Sequence, residues 1–311
     1  MMKLSLEQIQ SITFGAVRIW QENDGIHFSR CSESQIRYWY SVRESLGDRS
    51  TRTTGVCLDF HTDSNRVACT FAGANHFDIY VDGILSYCHQ AASPDFSILL
   101  PAGEHRVTVI FPSHDHDRPY LQKLDLDDGA TLRSHCFDRK ILFLGDSITQ
   151  GWGSSCDSLS WAWNVSLALN AEGVNQGIGG SCAEPGTFPN DVPFDPDTVI
   201  VSYGTNDWDT RPTLESLKET YGRYLDLVCE KYAGKKLIAI SPIYRFHTEE
   251  GRSMGSFESC CEVIKQCIRD HGMLLVDGFE LIPHQEMFFM DGVHPVDIGY
   301  RTFFEQLMKY L

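Results

Sequence analysis

Lys140-Ile-Leu-Phe-Leu-Gly-Asp-Ser-Ile-Thr-Gln-Gly151 is an apolar run that stops abruptly at Gly145-Asp146-Ser147. Four consecutive apolar residues, Ile141 to Leu144, closed by a glycine, predict a strand buried on both faces, as in parallel sheets. Ser147 then falls just past the carboxyl end of that strand, the edge at which open α/β sheets bind ligands. A serine on a tight strand-to-helix turn presents its hydroxyl together with its own backbone N–H. Thr149 occupies the position that a G-x-S-x-G nucleophile elbow gives to its second glycine, so that motif does not fit.

Three further blocks follow in order. Asn175-Gln-Gly-Ile-Gly-Gly180 follows an apolar entry at Val174. Ser202-Tyr-Gly-Thr-Asn-Asp207 follows a second buried run from Thr198 to Val201, and Asp291-Gly-Val-His-Pro295 precedes the C-terminal segment. Taken singly, each has a plain structural explanation. Gly180 reads as a turn glycine, Asn206 as a helix N-cap, Asp291-Gly292 as a turn and His294 as a surface histidine. Taken together and in this order, the four blocks resemble those of the SGNH (GDSL-type) esterases and acylhydrolases. The resemblance implies Ser147 as nucleophile, His294 as base and Asp291 as its partner. Gly180 and Asn206 would join the Ser147 N–H as oxyanion donors. It also implies a flavodoxin-like, three-layer α/β/α domain. Asp146 is expected to be a structural loop residue, with Asp207 and Trp208 shaping the pocket.

A serine hydroxyl needs a base to take its proton as it attacks, and imidazole is suited to that work near neutral pH. A carboxylate three residues away on the same loop can orient the ring and stabilise the imidazolium. Donors aimed at the developing oxyanion are each worth roughly 10²-fold or more in rate.

The chain has 311 residues, a net charge of −16 and 42% apolar residues. That length suits two domains, and the charge argues against nucleic acid or an anionic membrane as partner. A neutral substrate is easier to accommodate. No run approaches the roughly 18 apolar residues of a membrane span, and the first ten residues do not read as a secretion signal. Eleven scattered cysteines, an odd number with the vicinal pair Cys260-Cys261, imply reduced thiols and a cytoplasmic location. No zinc-type spacing appears, and His114-Asp115-His116 reads as a solvated loop rather than a metal site. No metal and no cofactor is expected. Homo-oligomerisation is compatible with the sequence and not specified by it.

Residues 1–136 are expected to form an all-β sandwich of jelly-roll type, and 137–311 the catalytic domain. Short β-branched and aromatic segments recur before residue 136, among them Gly15–Trp20, Ile36–Ser41, Val56–His61 and Arg66–Phe71, with no helical periodicity of length. Phe96 to Phe111 reads as a hairpin turning at Pro101-Ala-Gly-Glu104, and Phe77–Val81 as a strand ending in the Asp82-Gly83 turn. A β-domain before the catalytic one also resembles two-domain carbohydrate esterases. Trp20, Tyr38, Trp39 and Tyr40 are candidates for a sugar platform, with core or interdomain packing as the commoner fate of such side chains. Past Arg139, strands alternate with helices, including Trp161–Ala171, Pro212–Gly234 and a Cys-rich face from Phe257 to Ile268. Trp152, Trp208, Tyr244 and Arg245 fall on loops at the sheet edge that carries Ser147. They are the candidates for substrate contact.

These readings converge on a serine esterase that removes an acetyl or other short acyl group from a carbohydrate through an acyl-enzyme. The substrate would be a small-molecule or oligosaccharide acyl ester. Two alternatives stay open: a lipid-directed acylhydrolase or thioesterase, and a carbohydrate-binding protein without catalysis.

Overall fold

The computed structural model describes residues 2–74, 76–90, 95–113, 118–249 and 251–311. The His114-Asp115-His116 stretch lies outside these residues.

Five parallel strands run through the C-terminal half in the order Ala171–Gly177, Arg139–Gly145, Thr198–Ser202, Lys236–Ile240, Leu274–Val276. Numbered along the chain this is 2-1-3-4-5, the flavodoxin-like order, with the switch point beside the first strand. Alternation along each strand divides the side chains between two cores. Leu142, Leu144, Val199, Val201 and Ala239 pack with residues of helices Leu214–Lys231 and Phe257–Asp270. Ile141, Phe143, Ile200, Ile238 and Ile240 pack with residues of helices Trp161–Ala168 and Asp297–Leu307. Each of the larger of these side chains contributes roughly 1.5–3 kcal/mol by leaving water, so the sheet is held from both sides. The cysteine face behaves as expected, with Cys260, Cys261 and Cys267 buried in the first of these cores. The Trp161 helix ends at Ala168 rather than Ala171, because the next strand begins there.

The described strands of the N-terminal half form two antiparallel sheets whose inward residues share one hydrophobic cluster. Two expectations are corrected here. Ile36–Ser41 is not a strand but part of the helix Glu33–Val42. The Ser32 hydroxyl accepts from Gln35 N–H, and the Gln35 side chain bonds back to Ser32 N–H, a capping box that overrides the β-propensity of the aromatic residues. A second helix, Glu44–Ser50, follows directly. Phe96 to Phe111 is also not a hairpin. Asp95–Leu99 pairs with Arg66–Ala72 in one sheet, and His105–Ile110 pairs with Cys57–Thr62 and His76–Val81 in the other. Phe96, Ile98, Val107 and Val109 all point into the shared core, so an arch between sheets buries what a hairpin would leave half exposed. The Asp82-Gly83 turn is as read: both residues have positive φ, 53° and 79°, in a two-residue hairpin.

The pair of helices at 33–50 reaches over the parallel sheet. Trp39 and Leu46 pack with Ile178, and the Gln35 amide donates to Gln176 Oε1 and Thr187 O at 3.0 Å each. Arg30, fully buried, donates to four backbone carbonyls: Asn175 O, Gly177 O, Arg52 O and Arg49 O. Burial pushes its guanidinium below its ordinary value. No helix among the described residues is long and apolar enough to cross a membrane.

Candidate active site

The strand Arg139–Gly145 ends at Asp146, whose carboxylate caps the short turn Ser147–Gln150 by accepting from Ile148 N–H at 2.9 Å. Ser147 is thereby fixed at the carboxyl edge of the sheet, next to the switch point. Its Oγ lies 2.8 Å from His294 Nε2, and His294 Nδ1 lies 2.7 Å from Asp291 Oδ2. Asp291 Oδ1 also accepts the backbone N–H groups of Val293 and His294. Burial pushes the Asp291 carboxyl up, but these hydrogen bonds and the His294 side chain more than offset it and hold it below the carboxylate range. Side chains 147 residues apart in sequence therefore form one hydrogen-bonded row.

Gly180 sits at φ +80, a left-handed conformation that favours glycine. Gly179, just before it, lies against the serine: a Cβ added there would stand 3.6 Å from Ser147 Cβ. Its N–H donates to Gln150 Oε1 at 2.8 Å, tying this segment to the serine turn. Asn206 lies on the helix Thr205–Thr210 after the third sheet strand, partly exposed. Its amide donates to Ser181 O at 3.0 Å, which leaves the second amide N–H for a ligand.

Two buried acids lie behind the serine. Asp146 is pushed up to about 7 by burial, with a smaller push from the charge of Asp207. Asp207 is itself pushed up to about 6 by burial, partly offset by Arg211. Arg211 bridges Asp207 and Glu184, so Asp207 anchors the base of the Asn206 helix.

Of the four expected substrate contacts, one stays beside the histidine. The Trp152 ring centroid is 6.5 Å from that of His294, and Arg52 lies over its face. Trp208 is corrected: it is wholly buried, its indole N–H donates to Gly255 O, and its ring packs on Phe257. Arg245 is corrected for the same reason. It is 8% exposed, its Nη1 is held by Asp209 at 2.9 Å, and its guanidinium stacks on the buried Trp208. Tyr244 stacks on His284 at 4.0 Å within an aromatic cluster with Phe246 and Phe289. In the proposed sugar platform, Trp39 is buried under the second helix, while Trp20 stacks on His27, which in turn stacks on Tyr120, in the N-terminal half.

Gly153 was not among the expected residues, and the geometry shows its role. A Cβ there would lie 2.5 Å from Pro295 O and 3.3 Å from His294 Cβ, and its φ is +98. Only glycine lets this loop approach the histidine so closely, and the Gly151-Trp-Gly153 spacing is the signal that carries it. Tyr300 adds a second tie, its hydroxyl donating to Trp152 O at 2.7 Å. Two groups of metal-ligating residue types occur among the described residues, His76/Asp78/Cys156 and Glu22/Asp24/His27. Neither includes Ser147, His294 or Asp291.

Comparison with known proteins identifies relatives of this chain. The chain is 28% identical over 155 residues to the Bacillus subtilis protein named "Probable rhamnogalacturonan acetylesterase YesY", covering 45% of this chain and 70% of that one. Its fold is similar to that of the salicylyl-acyltransferase SsfX3 from a tetracycline biosynthetic pathway, with TM-score 0.79, 18% identity, and coverage of 96% of this chain and 92% of that one. It is also similar to a family two carbohydrate esterase from Clostridium thermocellum solved with cellohexaose, with TM-score 0.71, 16% identity, and coverage of 96% and 97%. The model of the GDSL-like Lipase/Acylhydrolase family matches residues 143–302, more than half of the chain. With four ordered blocks, a parallel 2-1-3-4-5 sheet and a serine at its switch point, the chain belongs to the GDSL-like lipase/acylhydrolase family and is an esterase of that family.

Proposed function

We propose that this protein is a serine esterase that removes an acetyl or other short acyl group from a carbohydrate hydroxyl through an acyl-enzyme. Ser147 Oγ attacks the ester carbonyl while His294 Nε2 takes its proton. The tetrahedral intermediate collapses as the same proton passes to the departing sugar oxygen. Water, deprotonated by His294, then attacks the acyl-enzyme, and the carboxylic acid and Ser147 are released. Asp291, kept ionised by three hydrogen bonds, holds His294 Nδ1 and stabilises the imidazolium. The N–H groups of Ser147 and Gly180 and the second amide N–H of Asn206 are the oxyanion donors.

The single observation that carries this reading is the unbroken row Ser147–His294–Asp291 at 2.8 and 2.7 Å. Carbohydrate as the alcohol is supported by the names of the relatives, an acetylesterase directed at rhamnogalacturonan and a carbohydrate esterase solved with cellohexaose. A short acyl group is supported by the neighbours held close to Ser147, His294 Nε2 at 2.8 Å and the Gly179 turn. We further infer that residues 1–136 form a jelly-roll-like sandwich domain and 137–311 the catalytic domain, supported by the two antiparallel sheets over one core. Ten free thiols among the described residues support a reducing, cytoplasmic setting.

The test is turnover of an aryl acetate and of acetylated oligosaccharides by the Ser147→Ala variant. Loss of both with an unchanged circular dichroism spectrum is expected. Retained turnover rejects Ser147 as the nucleophile.

A further inference from the structure

The helices Glu33–Val42 and Glu44–Ser50 bring two arginines to the glycine segment beside the serine. Arg49 Nη1 donates to Gly179 O at 2.7 Å. At the point where a Cβ on Gly180 would stand, Arg49 Nη1 is 2.8 Å away and Arg43 Nη2 3.1 Å away. Around the corresponding point on Gly179, Arg49 Cδ is at 3.5 Å and Ser147 Cβ at 3.6 Å. The two guanidinium groups therefore converge on the Gly179-Gly180 turn, which Ser147 also borders.

Their charge is not balanced locally. Most arginines of this acidic chain have carboxylate partners, among them Arg18 with Glu33, Arg106 with Asp59, Arg118 with Asp48 and Arg211 with Glu184. Among the described residues, no carboxylate lies within ion-pair distance of Arg43 or Arg49. Arg49 is pushed below its ordinary value by burial and by the positive charge of Arg43, with no acid acting on it. Two like charges held side by side repel, and a bound anion would relieve that repulsion. Neither the fold nor the Ser147–His294–Asp291 row makes use of the Arg43 guanidinium.

We propose that Arg43 and Arg49 form an anion subsite beside Ser147 that receives a carboxylate of the acyl-ester substrate. This rests on the serine-esterase reading above and narrows its carbohydrate to one containing uronic acid. A uronic acid carries a planar carboxylate on its ring, and the planar guanidinium fork matches that group with two parallel hydrogen bonds. With −16 net charge, the rest of the surface repels such a substrate, so recognition needs a local positive patch of this kind. The subsite also gives the N-terminal half a direct part in substrate choice, since both arginines come from it.

The experiment compares kcat and KM for an O-acetylated oligogalacturonide and for the same oligosaccharide with its carboxyl groups methyl-esterified, so that charge is the variable. Wild-type protein is expected to favour the charged form by roughly tenfold or more, through KM, as charge-assisted hydrogen bonds imply. Arg43→Gln and Arg49→Gln should each shrink that ratio severalfold, Arg43→Lys should retain part of it, and added salt should erode it. An equal kcat/KM for both forms in the wild type overturns the proposal. So does an equal fall in kcat on both forms in the variants, which would place the arginines on the oxyanion instead. Calorimetric binding of the de-acetylated oligogalacturonide to Ser147→Ala keeps the two readings apart. If Ser147→Ala still turns over esters, the esterase reading fails on its own. If binding of the charged oligosaccharide is no tighter than that of its methyl ester, the subsite fails on its own.

Discussion

Replacing Asp146 by Asn changes how stability depends on pH, and the sign follows from the position of the group. Burial raises this carboxyl from its ordinary 3.8 to about 7. The folded protein therefore keeps a proton that the unfolded chain releases between about pH 4 and pH 7. Stability contributed by the neutral acid is full below pH 4, falls as pH rises through that window, and levels off above 7. At about 1.4 kcal/mol per decade, the gap amounts to about 4 kcal/mol, a large fraction of the 5–15 kcal/mol typical of a folded domain. Asparagine keeps the shape and the oxygen that accepts from Ile148 N–H, at 2.9 Å in the wild type, and does not titrate. Urea denaturation at pH 4.5, 6 and 8 would read this out. Asp146→Asn should gain on the wild type by several kcal/mol between the lowest and highest pH. Parallel curves would refute a buried, proton-holding Asp146, and a gain in the opposite direction would reverse the sign of its environment.

Other substitutions test the surrounding structure. Gly153→Ala puts a Cβ 2.5 Å from Pro295 O at φ +98, so a loss of roughly 1–3 kcal/mol and a fall in kcat from displacement of His294 are expected by thermal denaturation and steady-state kinetics. Trp208→Ala removes a wholly buried indole and should cost roughly 3–5 kcal/mol. A stable variant with a raised KM would instead restore Trp208 as a substrate contact. Asp291→Asn should leave the fold intact and lower kcat by about 10²-fold or more, measured on an aryl acetate. Unchanged kcat would remove Asp291 from the mechanism.

The parts of this protein that could be read from its sequence are those encoded locally. A buried parallel strand announces itself as Ile141 to Leu144 closed by glycine, and its end fixes where Ser147 stands. Asp291 and His294 share one short loop, so their spacing already contained their 2.7 Å contact. The helix Glu33–Val42 is hidden in the sequence by the high β-propensity of Ile36, Tyr38, Trp39 and Tyr40, although Ser32-Glu-Ser-Gln35 spells a capping box. Alternation in Phe96–Ile98 and Val107–Val109 says that one face is buried, not which strand lies alongside, so an arch between sheets looked like a hairpin. Trp208, on a helix rather than a loop, and Arg245 both follow the carboxyl ends of sheet strands, but a residue's position along the chain does not say which way its side chain turns. Arg30, Arg43 and Arg49 meet Asn175 to Gly180 only in three dimensions, and nothing near them in sequence marks that meeting.

The most direct test of the account is covalent labelling with an alkyl fluorophosphonate followed by peptide mapping, on the wild type and on His294→Ala. The expected result is stoichiometric modification of Ser147 alone in the wild type, and labelling slowed by orders of magnitude once the imidazole is gone. Modification at another residue, or equally fast labelling without His294, would contradict a serine activated by that histidine.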